Sequence, residues 1–126
     1  MVSASELKFL ENLAQLDYEG EYYDFHNDYD CERIVLNNNH VLTLQFKHTN
    51  LNHFVLFRFR EVVIVSMDFF NVYTESLTLD NLYRGKVVID EELVEISSDK
   101  KAYFYLEFDE GQKMEFWSKE IFIEKI

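Results

Sequence analysis

Between Phe54 and Phe70 apolar side chains return at every second position. Val55, Phe57, Phe59, Val63, Val65, Met67 and Phe69 share one parity, and Arg58, Arg60, Ser66 and Asp68 share the other. A period of two is the signature of a β-strand with one face toward a core. An unbroken strand of about fifteen residues would run ~50 Å, longer than a small fold holds comfortably. A bend or bulge is therefore expected near Arg60 and Glu61, where Glu61 interrupts the apolar parity. Its carboxylate is expected to pair with Arg58 or Arg60 at the sheet rim.

The same rhythm runs on both sides of this stretch. ERIVL and HVLTLQFK flank Asn37, Asn38 and Asn39, residues that tolerate left-handed backbone and suit a hairpin turn. If those three form the loop, Ile34 opposes Leu42, Leu36 opposes His40, and Leu42, Leu44 and Phe46 face the core. HTNLNH, residues 48 to 53, reads as a second turn. Asp80, Asn81 and Gly85, and the run from Ser97 to Lys101, read as turns bracketing short strands VVI and LVEI, with Asp90, Glu91 and Glu92 at a corner. Residues 75 to 84 have no single assignment, and a loop with some turn of helix would also fit them. Near the end, Tyr103 to Phe108 and Gln112 to Ser118 flank Asp109-Glu110-Gly111, a type I turn closed by a left-handed glycine. That register sets Leu106 opposite Met114 and Phe104 opposite Phe116 on one face. Tyr103 opposite Trp117 and Tyr105 opposite Glu115 fall on the other. IFIEKI completes the chain as a strand.

Only the amino terminus has a helical period. Ser3 and Glu6 match a capping box, and Leu7, Leu10, Leu13, Ala14 and Leu16 then recur as a stripe. One amphipathic helix is expected over residues 3–16, and antiparallel β structure over 30–126. The fold class is thus all-β, or β-rich α+β: an antiparallel meander of eight or nine strands, forming a sandwich or partly open barrel with one amino-terminal helix. With 126 residues, no proline and no Gly/Ser-rich tract, the expected organisation is a single domain over 1–126.

Charge changes the picture most. The net charge is −12. Residues 1–32 hold nine acids against Lys8, and residues 90–126 eleven acids against five bases, while the middle is slightly basic. Such a field repels phosphates, so direct nucleic-acid and anionic-membrane binding are disfavoured. A basic protein is attracted. Plain solubility is the other use of such acidity.

The segment from Asp17 to Glu32 concentrates the acids among rings: Asp17, Glu19, Glu21, Asp24, Asp28 and Asp30 interleave with Tyr22, Tyr23 and Phe25. These nine residues are the candidate partner-binding surface, because carboxylates beside rings pair with Lys or Arg while burying ring area. Tyr103, Tyr105 and Trp117 form a secondary aromatic patch, either covered by the amino-terminal helix or open to a partner.

Known reaction motifs are missing. Gly20, Gly85 and Gly111 stand far apart in no phosphate-binding context, and neither HExxH nor GxSxG occurs. Asp24, His26, Asp28 and Asp30 alternate as in a calcium loop, but Tyr29 and Val35 occupy the positions that need glycine and glutamate. No metal and no cofactor is expected. Cys31, the single cysteine, excludes an intrachain disulfide and reads as a buried, inert thiol. His26, His40, His48 and His53 flank turns. No apolar run reaches the ~18 residues of a membrane helix and no basic-then-apolar leader is present, so a cytoplasmic protein is expected.

The segments FHNDYDCERIVLNNNHVLTLQFKH, FRFREVVIVSMDFF and YFYLEFDEGQKMEFWSKEIFIEKI, taken in that order, resemble the small acidic all-β immunity proteins encoded beside bacterial polymorphic toxins. The likeness lies in strand order, an acidic opening before the first strand and a closing hairpin with an aromatic near its end. It implies stoichiometric inhibition of a cognate toxin, often a basic nuclease, and transfers no residue roles. The expected function is a non-enzymatic protein-binding module. A small-ligand-binding β barrel, with central rings lining a cavity, is the alternative, followed by a carboxylate/histidine hydrolase or isomerase.

Overall fold

In a computed structural model, residues 2–3, 12–69, 77–85, 87–89, 92–94 and 101–126 are described, with backbone only for 2–3, 87–89 and 92–94. They form thirteen strands: β1 (Val2–Ser3), β2 (Gln15–Tyr18), β3 (Glu21–Asp24), β4 (Tyr29–Leu36), β5 (Leu42–His48), β6 (Phe54–Arg60), β7 (Val63–Asp68), β8 (Leu79–Arg84), β9 (Val87–Ile89), β10 (Glu92–Val94), β11 (Ala102–Phe108), β12 (Lys113–Ser118) and β13 (Glu120–Lys125). Every pairing is antiparallel. A five-stranded sheet runs β1-β13-β6-β5-β4 and a four-stranded sheet β7-β12-β11-β8, with two-stranded ribbons β2-β3 and β9-β10.

Alternation builds the core directly. Leu42, Leu44, Phe46, Val55, Phe57 and Phe59 point inward from the five-stranded sheet, and Phe104, Leu106, Phe108, Met114 and Phe116 from the other. Rings meet across the gap: Phe59 lies 5.2 Å from Phe104 and 4.8 Å from Phe116, centroid to centroid. Each fully buried ring or branched side chain contributes ~1.5–3 kcal/mol of transfer free energy. The central rings therefore pack on one another across the gap between the two sheets.

The all-β expectation holds among the described residues, and the expected helix over 3–16 does not. Ser3 pairs with Glu120 in β1, and Gln15 and Leu16 pair with Asp24 and Tyr23 in β2; residues 4–11 lie outside the described set. Between them, Asn12 bridges Tyr83, Leu13 N donates to Leu82 O, and the Asn12 carbonyl oxygen Oδ1 accepts from Ala14 N at 3.0 Å. Leu13 and Ala14 are thus buried by a turn against β8, and that tertiary contact overrides the helical spacing. The strand count also exceeds eight or nine, because the acidic segment and the ends add short strands.

Glu61 is where the central run bends. It adopts φ 51°, Val62 turns inward with its N–H on His40 O at 2.9 Å, and the chain passes from the five-stranded to the four-stranded sheet. The second crossing lies beside it: Lys119 N and Ser118 Oγ both donate to Arg60 O, at 3.1 and 2.7 Å. The expected bend is present, but its consequence for parity differs from expectation. Val63 and Val65 are exposed instead of continuing the core face. A bulge between Glu115 and Phe116 leaves Val65 unopposed, so Ile64 and Met67 pair with the core residues Phe116 and Met114, and Ser66 pairs with Glu115 on the outer face. Met67, at the sheet edge, stays half exposed. Glu61 pairs with Lys119 at 3.7 Å, whereas Arg58 pairs with Glu124 and Arg60 with Glu120.

Turn registers divide similarly. The β11–β12 hairpin has the expected pairs, closed by Gly111 at φ 94°. In the β4–β5 hairpin the loop is longer than the three asparagines: Leu36 opposes Leu42, Ile34 opposes Leu44, and Asn37 caps the loop by accepting from Asn39 N and Val41 N. His40, at φ 61°, belongs to that loop. The two-residue slip keeps the same faces inward. Asp80 and Asn81, expected in a turn, lie within β8, so residues 79–84 are a strand and not a loop with helix. VVI and the LV of LVEI do pair as β9 and β10; Asp90, Glu91 and residues 95–100 lie outside the described set.

Candidate functional site

The acidic segment folds as the β2–β3 hairpin and the turn that follows. Glu19 and Gly20 both take positive φ, 51° and 81°, the two-residue turn whose twist matches paired strands. Strand alternation then separates the rings. Tyr22 is exposed, while Tyr23 and Phe25 are core residues at 5% and 0% exposure. Phe25 stacks near Tyr23 and sits 4.7 Å from Phe46. Two of the three rings assigned to partner contact are therefore anchors that hold the hairpin on the sandwich.

The acids keep surface roles. Glu21 bonds Lys125 Nζ at 2.6 Å, and that bond holds its carboxyl below the ordinary range. Asp24 caps the following turn, accepting from Asn27 N and Nδ2 at 3.0 and 2.9 Å. Burial works to raise its pKa, and these bonds outweigh it, leaving it lowered. Asp17 and Glu19 are exposed around the hairpin tip, Asp28 is exposed in the turn and Asp30 is half-buried on β4.

The secondary aromatic patch is better ordered. On the outer face of the four-stranded sheet, Tyr83, Tyr105, Glu115 and Ser66 stand in one cross-strand row, and Tyr103, Trp117 and Val63 in the next. A third row holds Asn81, Glu107, Lys113 and Asp68. Tyr83 stacks on Tyr105 at 5.2 Å, and Tyr103 meets Trp117 edge-on at 5.2 Å. Gly85 makes room, since a Cβ there would come within 3.0 Å of the Tyr103 ring. The four rings are half-buried.

Carboxylates are fixed among these rings. Tyr105 donates its hydroxyl to Glu107 at 2.8 Å and Ser66 donates to Glu115 at 2.8 Å, with Tyr103 also bonded to Glu115. Burial first, and then the bond to Glu107, push the Tyr105 phenol up to about 12. Tyr103 is raised further by burial and by Glu115, and Tyr83 by burial and by the charges of Glu107 and Glu115. All three phenols stay protonated donors at neutral pH. The result is a ring-paved, negatively charged face whose geometry suits a guanidinium or ammonium group, by cation–π contact and charge-assisted hydrogen bonding.

Asn12, bridged to Tyr83, places the base of the hairpin beside this face. Tyr83 was hidden from sequence reasoning because its segment reads as a turn, and its pairing with Tyr105 is a long-range fact. The alternating Tyr103, Tyr105 and Glu107 were the available signal.

No family model, curated protein or solved structure matches this chain. Cys31 is buried and its thiol is pushed up to about 12, chiefly by burial. His48 Nδ1 accepts from Asn50 N and Leu51 N, at 3.1 and 2.9 Å, and His53 Nε2 bonds the Tyr29 hydroxyl at 2.9 Å. His26 Nδ1 contacts Leu79 O. These histidines are engaged in closing loops. Among the described residues no group of three His, Cys, Asp or Glu side chains converges. Finally, an apolar groove of about 350 Å³ opens between the edges of β4 and β7.

Proposed function

We propose that this chain is a non-enzymatic protein-binding module that captures a basic partner on the outer face of its four-stranded sheet. The observation that carries the reading is the cross-strand paving of Tyr83, Tyr103, Tyr105 and Trp117 around the fixed carboxylates of Glu107 and Glu115. Half-buried rings offer contact area at low entropic cost, and the carboxylates select a cation. Asp17 and Glu19 on the neighbouring hairpin add to the field that steers such a partner. Neutralisation of a basic toxin, by covering its active surface, is the biological form that the resemblance to immunity proteins suggests.

Affinity capture with immobilised protein tests it. The expected partner is basic, is retained at low ionic strength, is released when salt shortens the screening length to ~3 Å at 1 M, and is lost to Glu115→Lys. A partner that ignores both salt and Glu115→Lys contradicts the proposal.

A further inference from the structure

Edge strand β7 separates the ring-paved face from the apolar groove. Among the described residues it pairs with β12 alone. Natural sheet edges are commonly guarded by lysine, proline or very short strands. β7 instead exposes Val63, Val65 and Met67, each about half accessible, across six residues. Its inward-facing Ile64 and Met67 form one wall of the groove; Ile34 and Leu36 of edge strand β4 form the other, above Met114. Its outward-facing Ser66 and Asp68 lie beside Glu115 and Lys113. Val63 sits next to Trp117. Among the described residues, the unpaired backbone edge, the groove and the acidic face are therefore continuous along one strand.

We infer that β7 accepts an extended segment of a basic partner as an added antiparallel or parallel strand, with apolar side chains at alternate positions entering the groove and Lys or Arg between them reaching Glu115. Strand alternation dictates that pattern: successive side chains of an added strand fall on opposite faces. Toward the groove they meet Ile64, Met67 and Leu36. On the other side they meet the carboxylate of Glu115, with Glu107 one row beyond. A groove of about 350 Å³ has room for a few aliphatic side chains. The inference rests on the proposed capture of a basic protein, and names the segment that would be captured.

The test uses the whole protein and the peptide acetyl-Lys-Val-Lys-Val-Lys-Val-Lys-amide. Trp117 emission reports on the outer face, and amide hydrogen exchange locates the contact. Expected results are saturable binding, protection of β7 amides, and at least ten-fold weaker binding to Met67→Lys. Two further peptides, N-methylated at the valines or at the lysines, leave the protein untouched. Because N–H groups alternate between strand edges, one is expected to bind like the parent and the other at least ten-fold more weakly.

Equal binding of both methylated peptides, protection elsewhere, or equal binding of a Glu-Val repeat overturns the inference. So does protection of β7 by rising protein concentration alone, which would assign the edge to a second copy of the chain. If Glu115→Lys abolishes capture of a basic protein while no peptide protects β7, strand addition falls and the contact face stands. If β7 is protected as expected but Glu115→Lys captures the partner normally, the contact face falls.

Discussion

Two regions of the molecule mix tyrosine with carboxylate, and they use the mixture in opposite ways. In the β2–β3 hairpin the rings of Tyr23 and Phe25 turn inward and the acids remain outside. On the four-stranded sheet Tyr83, Tyr103, Tyr105 and Trp117 stay on the outer face, hydrogen-bonded to or stacked beside the acids' rows. One arrangement anchors an acidic ribbon; the other offers ring area and charge together. Composition does not separate them, whereas strand parity and what lies beneath each strand do.

The difference is sharpest at Phe25. Phe25→Ala removes a ring that touches Tyr23, Tyr29, Phe46 and Phe57, and a loss of ~3–5 kcal/mol is expected in denaturant unfolding. The folded fraction should bind a basic partner unchanged. Trp117→Ala should do the reverse: about 2 kcal/mol off partner affinity, roughly thirty-fold, against ~1 kcal/mol of stability. If Trp117→Ala proves as destabilising as Phe25→Ala and leaves affinity intact, the two regions have been assigned the wrong way round.

Gly20→Ala probes the hairpin's turn. With φ at 81° an added Cβ meets no neighbour, so the cost is conformational and about 1 kcal/mol. Ultraviolet titration of the phenols follows: Glu107→Gln should bring the Tyr105 phenol down from about 12, because the bond to Glu107 is its second-largest cause after burial.

The pH dependence of stability carries the loop histidine. His53 lies below the ordinary histidine value, first through burial and then through the charges of Lys125 and His48. Its neutral form is favoured in the fold, so its contribution is complete above the ordinary value of 6.5 and is lost as pH falls from there through the lower value of the folded state. The Tyr29 and Lys125 neighbourhood should loosen on acidification, which exchange rates of β6 amides would report. Smallest of all, Tyr22→Ala should change stability within ~0.5 kcal/mol.

Legibility in the sequence followed the range of the interaction. Hairpin β11–β12 could be read pair by pair, because its turn is closed by a glycine and its two faces differ sharply in polarity. The bend at Glu61 was visible as a break in rhythm, but not the parity after it, which a corner residue and a bulge at Val65 reset. Leu13 and Ala14 obeyed a helical spacing until the edge of β8 claimed them. The ring-paved face was half legible: Tyr103, Tyr105 and Trp117 fell on one face, while Tyr83 arrived from a strand that Asp80 and Asn81 had disguised as a turn.

Titration of the protein with hexa-arginine, following Trp117 emission against salt and mapping amide shifts, tests the outer face most directly. The account predicts a saturable, salt-sensitive change in Trp117, with shifts centred on Tyr83, Tyr105 and Glu115. Unchanged Trp117 emission, with shifts confined to Asp17, Glu19 and Tyr22, would contradict it.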